Sequence, residues 1–113
     1  MTRVGTVLYP AQDLEVALAF YRDALGLPVK FQDGGRYAAL DGGGVTLGLA
    51  AREEDVVGAP AAAFKVEDVA ATVDRLTAAG AELVRGPDEG PHEVRAVLRD
   101  PAGHPFVIYA ARA

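Results

Sequence analysis

The chain has 113 residues, half of them hydrophobic, and a formal net charge of −5. This length predicts one compact domain, and the apolar fraction is typical of an ordered protein. The absence of Cys excludes disulfides and thiolate metal sites, and the absence of a basic cluster argues against a nucleic-acid partner.

The first half of the sequence predicts a strand, a helix and three further strands. Apolar and β-branched residues favour a strand at 4–8. A helix is predicted from Asp13, a suitable N-cap, to Gly26, which suits the left-handed position after a helix. Its apolar residues recur at spacings of three and four: Leu14, Ala17, Leu18, Tyr21 and Leu25. Short strands separated by Gly-rich turns are predicted at 29–32, 36–40 and 45–51.

The second half repeats this order of elements. After a charged linker at 52–60, a strand is followed by a helix capped by Asp68 and ended by Gly80. The predicted strands of this half are 61–66, 82–85, 92–99 and 106–109. An internal repeat predicts two similar structural modules. We therefore predict a single α+β domain over residues 1–113, with modules at about 1–51 and 61–113.

Other signals concern the location of the protein. No apolar run approaches the ~20 residues that a membrane-spanning helix needs. The first twenty residues lack the basic start and apolar stretch of a signal peptide. The sequence therefore predicts a cytoplasmic protein without a membrane partner.

Several short motifs resemble those of a known family. They are Asp13-Leu14-Glu15, Phe20-Tyr21, Leu25-Gly26-Leu27, Val66-Glu67-Asp68-Val69 and Asp100-Pro101-Ala102-Gly103-His104-Pro105. In this order they are similar to the signatures of the glyoxalase/bleomycin-resistance, or vicinal oxygen chelate, superfamily. The resemblance implies two βαβββ modules with curved mixed sheets around a cleft, and a homodimer that binds a small organic ligand. Because the family includes lyases, isomerases, dioxygenases, thiol transferases and drug-binding proteins, the resemblance does not fix the chemistry.

The positions of the family's metal ligands are informative. Metal-using relatives carry His, Gln or Glu on the first and last strands of each module. The corresponding positions here are Thr6, Gly48, Ala61 and Val107. Gly, Ala and Val side chains have no metal donor, and a single Thr hydroxyl is a poor ligand. We therefore predict a protein without metal or cofactor, similar to the bleomycin-resistance branch, in which small residues at these positions widen the cleft.

Strand alternation predicts which side chains line the cleft. Tyr37 and Tyr109 are expected to stack on a planar ligand, and Arg95 or Arg99 is expected to supply charge or hydrogen bonds. His92 is a further candidate, although its neighbour Glu93 points to the opposite face if both lie in a strand. The side chains expected beneath the helices are Val7, Phe64, Phe106 and Ile108. The predicted ligand-contacting residues are Thr6, Leu8, Tyr37, Thr46, Gly48, Ala61, His92, Arg95, Val107 and Tyr109.

Four functional hypotheses follow. The first is a binding protein that sequesters an antibiotic or secondary metabolite. The second is a metal-free lyase, isomerase or cyclase with His92, Glu93, Tyr37 or Tyr109 as acid or base. A glyoxalase-like metalloenzyme with ligands at other positions is the third, and an interaction module is the fourth. The absence of Ser and Cys excludes both residues as nucleophiles.

Overall fold

A computed structural model describes residues 2–112. In this part of the chain, parallel and antiparallel strand pairs occur together with two α-helices, which confirms the predicted α+β class with mixed sheets. No helix among these residues is long and apolar enough to cross a membrane. The elements are β1 (Arg3–Pro10), α1 (Leu14–Leu18), β2 (Val29–Asp33), β3 (Tyr37–Asp41), β4 (Thr46–Ala50), β5 (Ala61–Lys65), α2 (Val69–Ala78), β6 (Glu82–Glu89), β7 (Glu93–Arg99) and β8 (Pro105–Ala111).

The chain forms two compact units. The first unit is Thr6–Pro60, and the second unit comprises Ala61 onward together with the residues before Thr6. In the first unit the neighbouring strands run β2-β3-β4-β1, and in the second they run β5-β8-β7-β6. The strand before each helix pairs in parallel with the last strand of its module, and the remaining pairs are antiparallel. The βαβββ order predicted from the repeat is therefore present twice.

The first helix begins as predicted but ends differently. The Asp13 carboxylate accepts hydrogen bonds from the amides of Glu15 and Val16, as an N-cap does. From Ala19 to Ala24 the backbone is a π-helix, and the amide of Leu25 donates to the carbonyl of Phe20 at 2.8 Å. The prediction of one continuous α-helix to Leu25 was therefore wrong.

The π-helix changes which apolar side chains face the core. Leu18, in α1, is fully buried, whereas Phe20 and Leu25 are 60% and 61% exposed. The i→i+5 hydrogen bond adds a residue to the turn, so positions beyond it no longer follow the 3.6-residue period. Leu25 consequently lies outside the core to which the period assigned it. The first core contains Ala11, Leu14, Leu18, Ala38, Leu40 and Leu49.

The second helix follows its prediction closely. Asp68 caps it by accepting from the amide of Ala71 at 3.0 Å, and Val69 and Val73 are buried. Thr72 is also buried, and its hydroxyl donates to the carbonyl of Asp68 at 2.7 Å. The predicted packing of Phe64, Phe106 and Ile108 beneath this helix is confirmed by the core of the second unit.

Among the strand boundaries that differ from the predicted ones, those of β6 and β7 differ in ways that matter for the sheet edge and for His92. Strand β6 continues through Gly86-Pro87 to Glu89 instead of ending at residue 85. Proline is tolerated there because β6 is at the end of its strand order and its pairing with β7 shifts register between Arg85 and Asp88. Strand β7 begins at Glu93, so His92 lies just outside the strand in which it was predicted.

Candidate ligand-binding site

One face of the first sheet is not covered by α1. Leu40 and Leu49 pack in the core with α1, and the alternate residues of the same strands point to the opposite side. Thr6 aligns with Thr46 across β1 and β4, and Leu8 aligns with Gly48. This side of the sheet, here called the first face, carries five of the predicted ligand-contacting residues. They are Thr6, Leu8, Tyr37, Thr46 and Gly48.

Gly48 is the point where the side chains of the first face converge. A Cβ atom at this position would lie 2.5 Å from the Tyr37 hydroxyl oxygen, 3.0 Å from Leu8 Cδ2 and 3.1 Å from Thr6 Cγ2. The space expected to widen a cleft at Gly48 is therefore occupied by its neighbours. This corrects the sequence-based expectation: the missing side chain gives room for the Tyr37 hydroxyl.

The first face has a polar row beside an apolar one. Thr6 and Thr46 are in register, and the ammonium group of Lys30 donates to Thr46 Oγ1 at 3.0 Å. In the next row, Leu8 and Gly48 are followed by Ala39 of β3. Lys30 was not predicted from the sequence, because its strand has a register irregularity that strict alternation does not predict.

A corresponding face lies on the second sheet. Tyr109 of β8 aligns with Lys65 of β5 on one side and with Arg95 of β7 on the other. These three side chains are half-buried, and their strands present alternate residues to α2. We call this side of the second sheet the second face. Lys65 and Arg95 are the cations of this row; Arg95 Nη1 lies 3.7 Å from a Glu93 carboxylate oxygen, and Asp88 of β6 aligns with Arg95.

Two predicted contact residues of the second unit are deeply buried. Val107 is 3% exposed and Ala61 is 7% exposed. Val107 aligns with Ala63 and Val97, which are also buried, so this part of the sheet is an apolar layer. A ligand on the second face therefore meets Tyr109 and Arg95 before it meets Val107.

Gly5 supports the position of Tyr109. A Cβ atom at Gly5 would collide with the Tyr109 hydroxyl and would lie 3.6 Å from Lys65 Cβ. The Tyr109 ring therefore extends past Lys65 toward Gly5, and only glycine allows this approach. Gly5 was not among the predicted site residues, although a glycine inside a strand is itself a signal of close packing.

His92 is not part of either face as the structure describes them. It is exposed, precedes β7, and its carbonyl accepts from the backbone amide of Arg112 at 3.1 Å. The contact that the sequence predicts between His92 and a ligand remains a prediction.

The residues at the family's metal-ligand positions do not fit a metal ion. Gly48 has no side chain, Ala61 and Val107 are buried hydrocarbons, and Thr6 packs its methyl group toward Gly48. Divalent metals need several N, O or S donors at one point. Among residues 2–112, no three His, Asp or Glu side chains form a group able to hold a metal.

Comparison with known proteins gives a family match over most of the chain. A model of the Glyoxalase/Bleomycin resistance protein/Dioxygenase superfamily matches residues 3–108. An uncharacterized protein of Mycolicibacterium smegmatis is 37% identical over 108 residues, which are 95% of this chain and 92% of the relative.

Solved structures share the fold at lower identity. The NAD-dependent benzaldehyde dehydrogenase structure from Legionella pneumophila has a TM-score of 0.80 and 19% identity, covering 95% of this chain and 98% of that one. A Streptomyces coelicolor methylmalonyl-CoA epimerase variant in complex with 2-nitronate-propionyl-CoA has a TM-score of 0.77 and 22% identity. That alignment covers 100% of this chain and 99% of the epimerase chain. At these identities the likeness establishes the fold alone.

Proposed function

Because the chain belongs to the glyoxalase/bleomycin resistance protein/dioxygenase superfamily, we propose that it is a metal-independent binding protein for a small organic molecule. In this proposal it sequesters an antibiotic or another secondary metabolite. In each unit, the sheet face opposite the helix offers contacts to such a molecule. Mixed apolar and hydrogen-bonding surfaces of this kind are typical of small-molecule sites.

The arrangement around Gly48 carries this proposal. At a position where metal-using relatives have a ligand, the Tyr37 hydroxyl and the Leu8 and Thr6 methyl groups converge instead. This surface offers hydroxyl groups and hydrocarbon, which suit an organic ligand. It offers no donor set that would activate a water molecule on a metal.

The test is a binding titration followed by two-dimensional NMR. Bleomycin and a panel of soluble antibiotics are added to ¹⁵N-labelled protein, and the amide shifts of Leu8, Tyr37 and Gly48 are recorded. Gly48→Ala is expected to weaken binding about fivefold, because the new methyl group displaces the Tyr37 hydroxyl and ~1 kcal/mol corresponds to that factor. Gly35→Ala is the matched control, since no atom lies within 4 Å of a Cβ built there.

Two further measurements separate this proposal from an enzyme. The bound compound is recovered and analysed by mass spectrometry, and it is expected to be chemically unchanged. Conversion of the compound would favour a metal-free lyase, isomerase or cyclase. Elemental analysis is expected to find no stoichiometric zinc, nickel, manganese or iron, and finding one at the sheet faces would overturn the proposal.

We further propose that the protein is a homodimer in the cytoplasm. Large apolar side chains exposed on the single chain support association, among them Val16 of α1, Phe20 of the π-helix, Leu25 directly after it and Phe31 of β2. Sedimentation equilibrium measures the mass of the assembly, and fractionation of the expressing cells measures its location. A monomer at all concentrations, or a membrane or exported fraction, would contradict these two statements.

A further inference from the structure

We propose that the second face recognises an oxyanion group of the ligand through Lys65 and the Tyr109 hydroxyl, with Arg95 adding positive charge beside them. This inference rests on the proposed binding function and narrows the ligand to a compound with a carboxylate or phosphate group. The three residues lie in one row across β5, β8 and β7. The whole row belongs to the second unit.

Two of the three polar groups in this row lack partners in the described part of the protein. Among the hydrogen bonds and ion pairs of residues 2–112, none involves the Lys65 ammonium or the Tyr109 hydroxyl. Six arginines of the chain have a carboxylate oxygen within 4.0 Å, whereas Lys65 has none in the described part of the structure. Half-buried donors without acceptors are ready to bind an anion.

The backbone fixes one of these donors in place. The ring of Tyr109 extends toward Gly5, where a Cβ atom would collide with its hydroxyl, and passes beside Lys65 Cβ. The hydroxyl and the stem of Lys65 are therefore neighbours. An oxyanion at this point accepts one hydrogen bond from the phenol and a charge-assisted one from the ammonium.

Arg95 contributes in a different way. Its strand neighbours that of Tyr109 on the side away from Lys65, about 5 Å away at the backbone as neighbouring strands are. Its Nη1 atom forms an ion pair with a Glu93 carboxylate oxygen at 3.7 Å. Its effect on an anion near Lys65 is therefore mainly long-range attraction, which weakens with salt. This geometry predicts an order of importance: Lys65 first, the Tyr109 hydroxyl second and Arg95 third.

The experiment uses three ring compounds that differ in one group. Benzoate, phenyl phosphate and the neutral benzamide are titrated into the ¹⁵N-labelled full chain, with amide shifts of Lys65, Arg95 and Tyr109 as the readout. Benzoate or phenyl phosphate is expected to shift these resonances and to bind about tenfold more tightly than benzamide, as charged hydrogen bonds do. Comparison of the two anions shows whether the group recognised is a carboxylate or a phosphate.

Variants test the order of importance. Lys65→Gln is expected to weaken binding of the preferred anion about tenfold and Tyr109→Phe about threefold, with a smaller loss for Arg95→Gln that disappears at high salt. Arg75→Gln is the control, because Arg75 is an exposed cation of the same unit that lies on α2, on the side of the sheet opposite the second face. It is expected to leave the affinity unchanged. The spectrum of each free variant shows whether it is folded.

The outcomes separate this inference from the proposed function. Equal affinity for benzamide and benzoate, or equal loss from Arg75→Gln and Lys65→Gln, overturns oxyanion recognition while leaving ligand binding intact. Amide chemical-shift changes confined to the first face would likewise overturn oxyanion recognition while leaving ligand binding intact. If neither these compounds nor the antibiotics shift either face, the proposed function fails together with the inference.

Discussion

Substitution of Gly48 by Ala tests the packing of the first face most directly. The added Cβ would lie 2.5 Å from the Tyr37 hydroxyl oxygen, a separation that real Cβ contacts do not show. Since that oxygen is at the end of a side chain, rotation of Tyr37 relieves the nearest contact. Leu8 Cδ2 at 3.0 Å and Thr6 Cγ2 at 3.1 Å must then move by a few tenths of an ångström.

The magnitude follows from two opposing effects. Overpacking a well-packed site costs about 1–3 kcal/mol. Replacing Gly by Ala restricts the unfolded chain and returns about 0.4–1 kcal/mol. We therefore expect Gly48→Ala to lower the free energy of unfolding by about 1 kcal/mol in urea denaturation.

A double-mutant cycle identifies the cause of this loss. In a Tyr37→Phe background the nearest colliding atom is absent, so the cost of Gly48→Ala is expected to fall by about 0.5 kcal/mol or more. The control Gly35→Ala, in open space and without a left-handed backbone, is expected to be neutral or stabilising. Equal stability of the wild type and Gly48→Ala, with no coupling to Tyr37, would refute the proposed convergence of side chains.

Three more predictions concern stability. Leu18→Ala is expected to lower the free energy of unfolding by about 2–5 kcal/mol because Leu18 is fully buried. Val16→Ala on the same helix is expected to change it by about 0.5 kcal/mol or less, because Val16 is exposed. Urea denaturation measures both variants, and similar losses would contradict this helix orientation. Asp68→Ala is expected to lower the free energy of unfolding by about 1 kcal/mol in the same assay, because it removes the cap of α2. Asp68→Asn retains an acceptor and is expected to lose only a small part of that amount. The backbone amide of His104 donates to Asp100 and lowers the pKa of this carboxyl below its ordinary 3.8. Its stabilising effect is therefore full above the unfolded pKa and is lost as the pH falls through the folded value. Asp100→Asn is thus expected to lower the Tm near pH 7, with the difference shrinking below about pH 3.8, and a difference independent of pH would contradict it.

The fold could be predicted from the sequence wherever the signal lay in neighbouring residues, as helix caps and apolar spacing do. Asp13 and Asp68 precede apolar residues at helical spacing, and each accepts backbone amides as a cap does. The repeat of these signals predicted two βαβββ modules. The π-helix at Ala19–Ala24 was missed because Leu25 lies at a helical spacing that says nothing about the hydrogen bond shifted to i→i+5.

The candidate site could be predicted from the sequence only in part. Strand alternation placed Thr6, Leu8 and Gly48 on one face, because successive side chains of a strand point to opposite sides of the sheet. The reach of Tyr37 over Gly48, and of Tyr109 toward Gly5, depends on long side chains crossing neighbouring strands. Such contacts arise from tertiary packing, so a glycine inside a strand can indicate close packing but not which hydroxyl group it makes room for.

The two modules share a scaffold but differ in the charge that they present. The row of Lys65, Tyr109 and Arg95 crosses the first, last and third strands of its module, and the equivalent row of the first unit is Pro10, Ala50 and Tyr37. That row contains no cation, and its alanine is buried. Because the register is the same and the side chains differ, the two modules present different chemical groups on the same strand geometry. Oxyanion binding should therefore belong to the second module alone, with one bound anion per chain and shifts that saturate in the second unit as a single site.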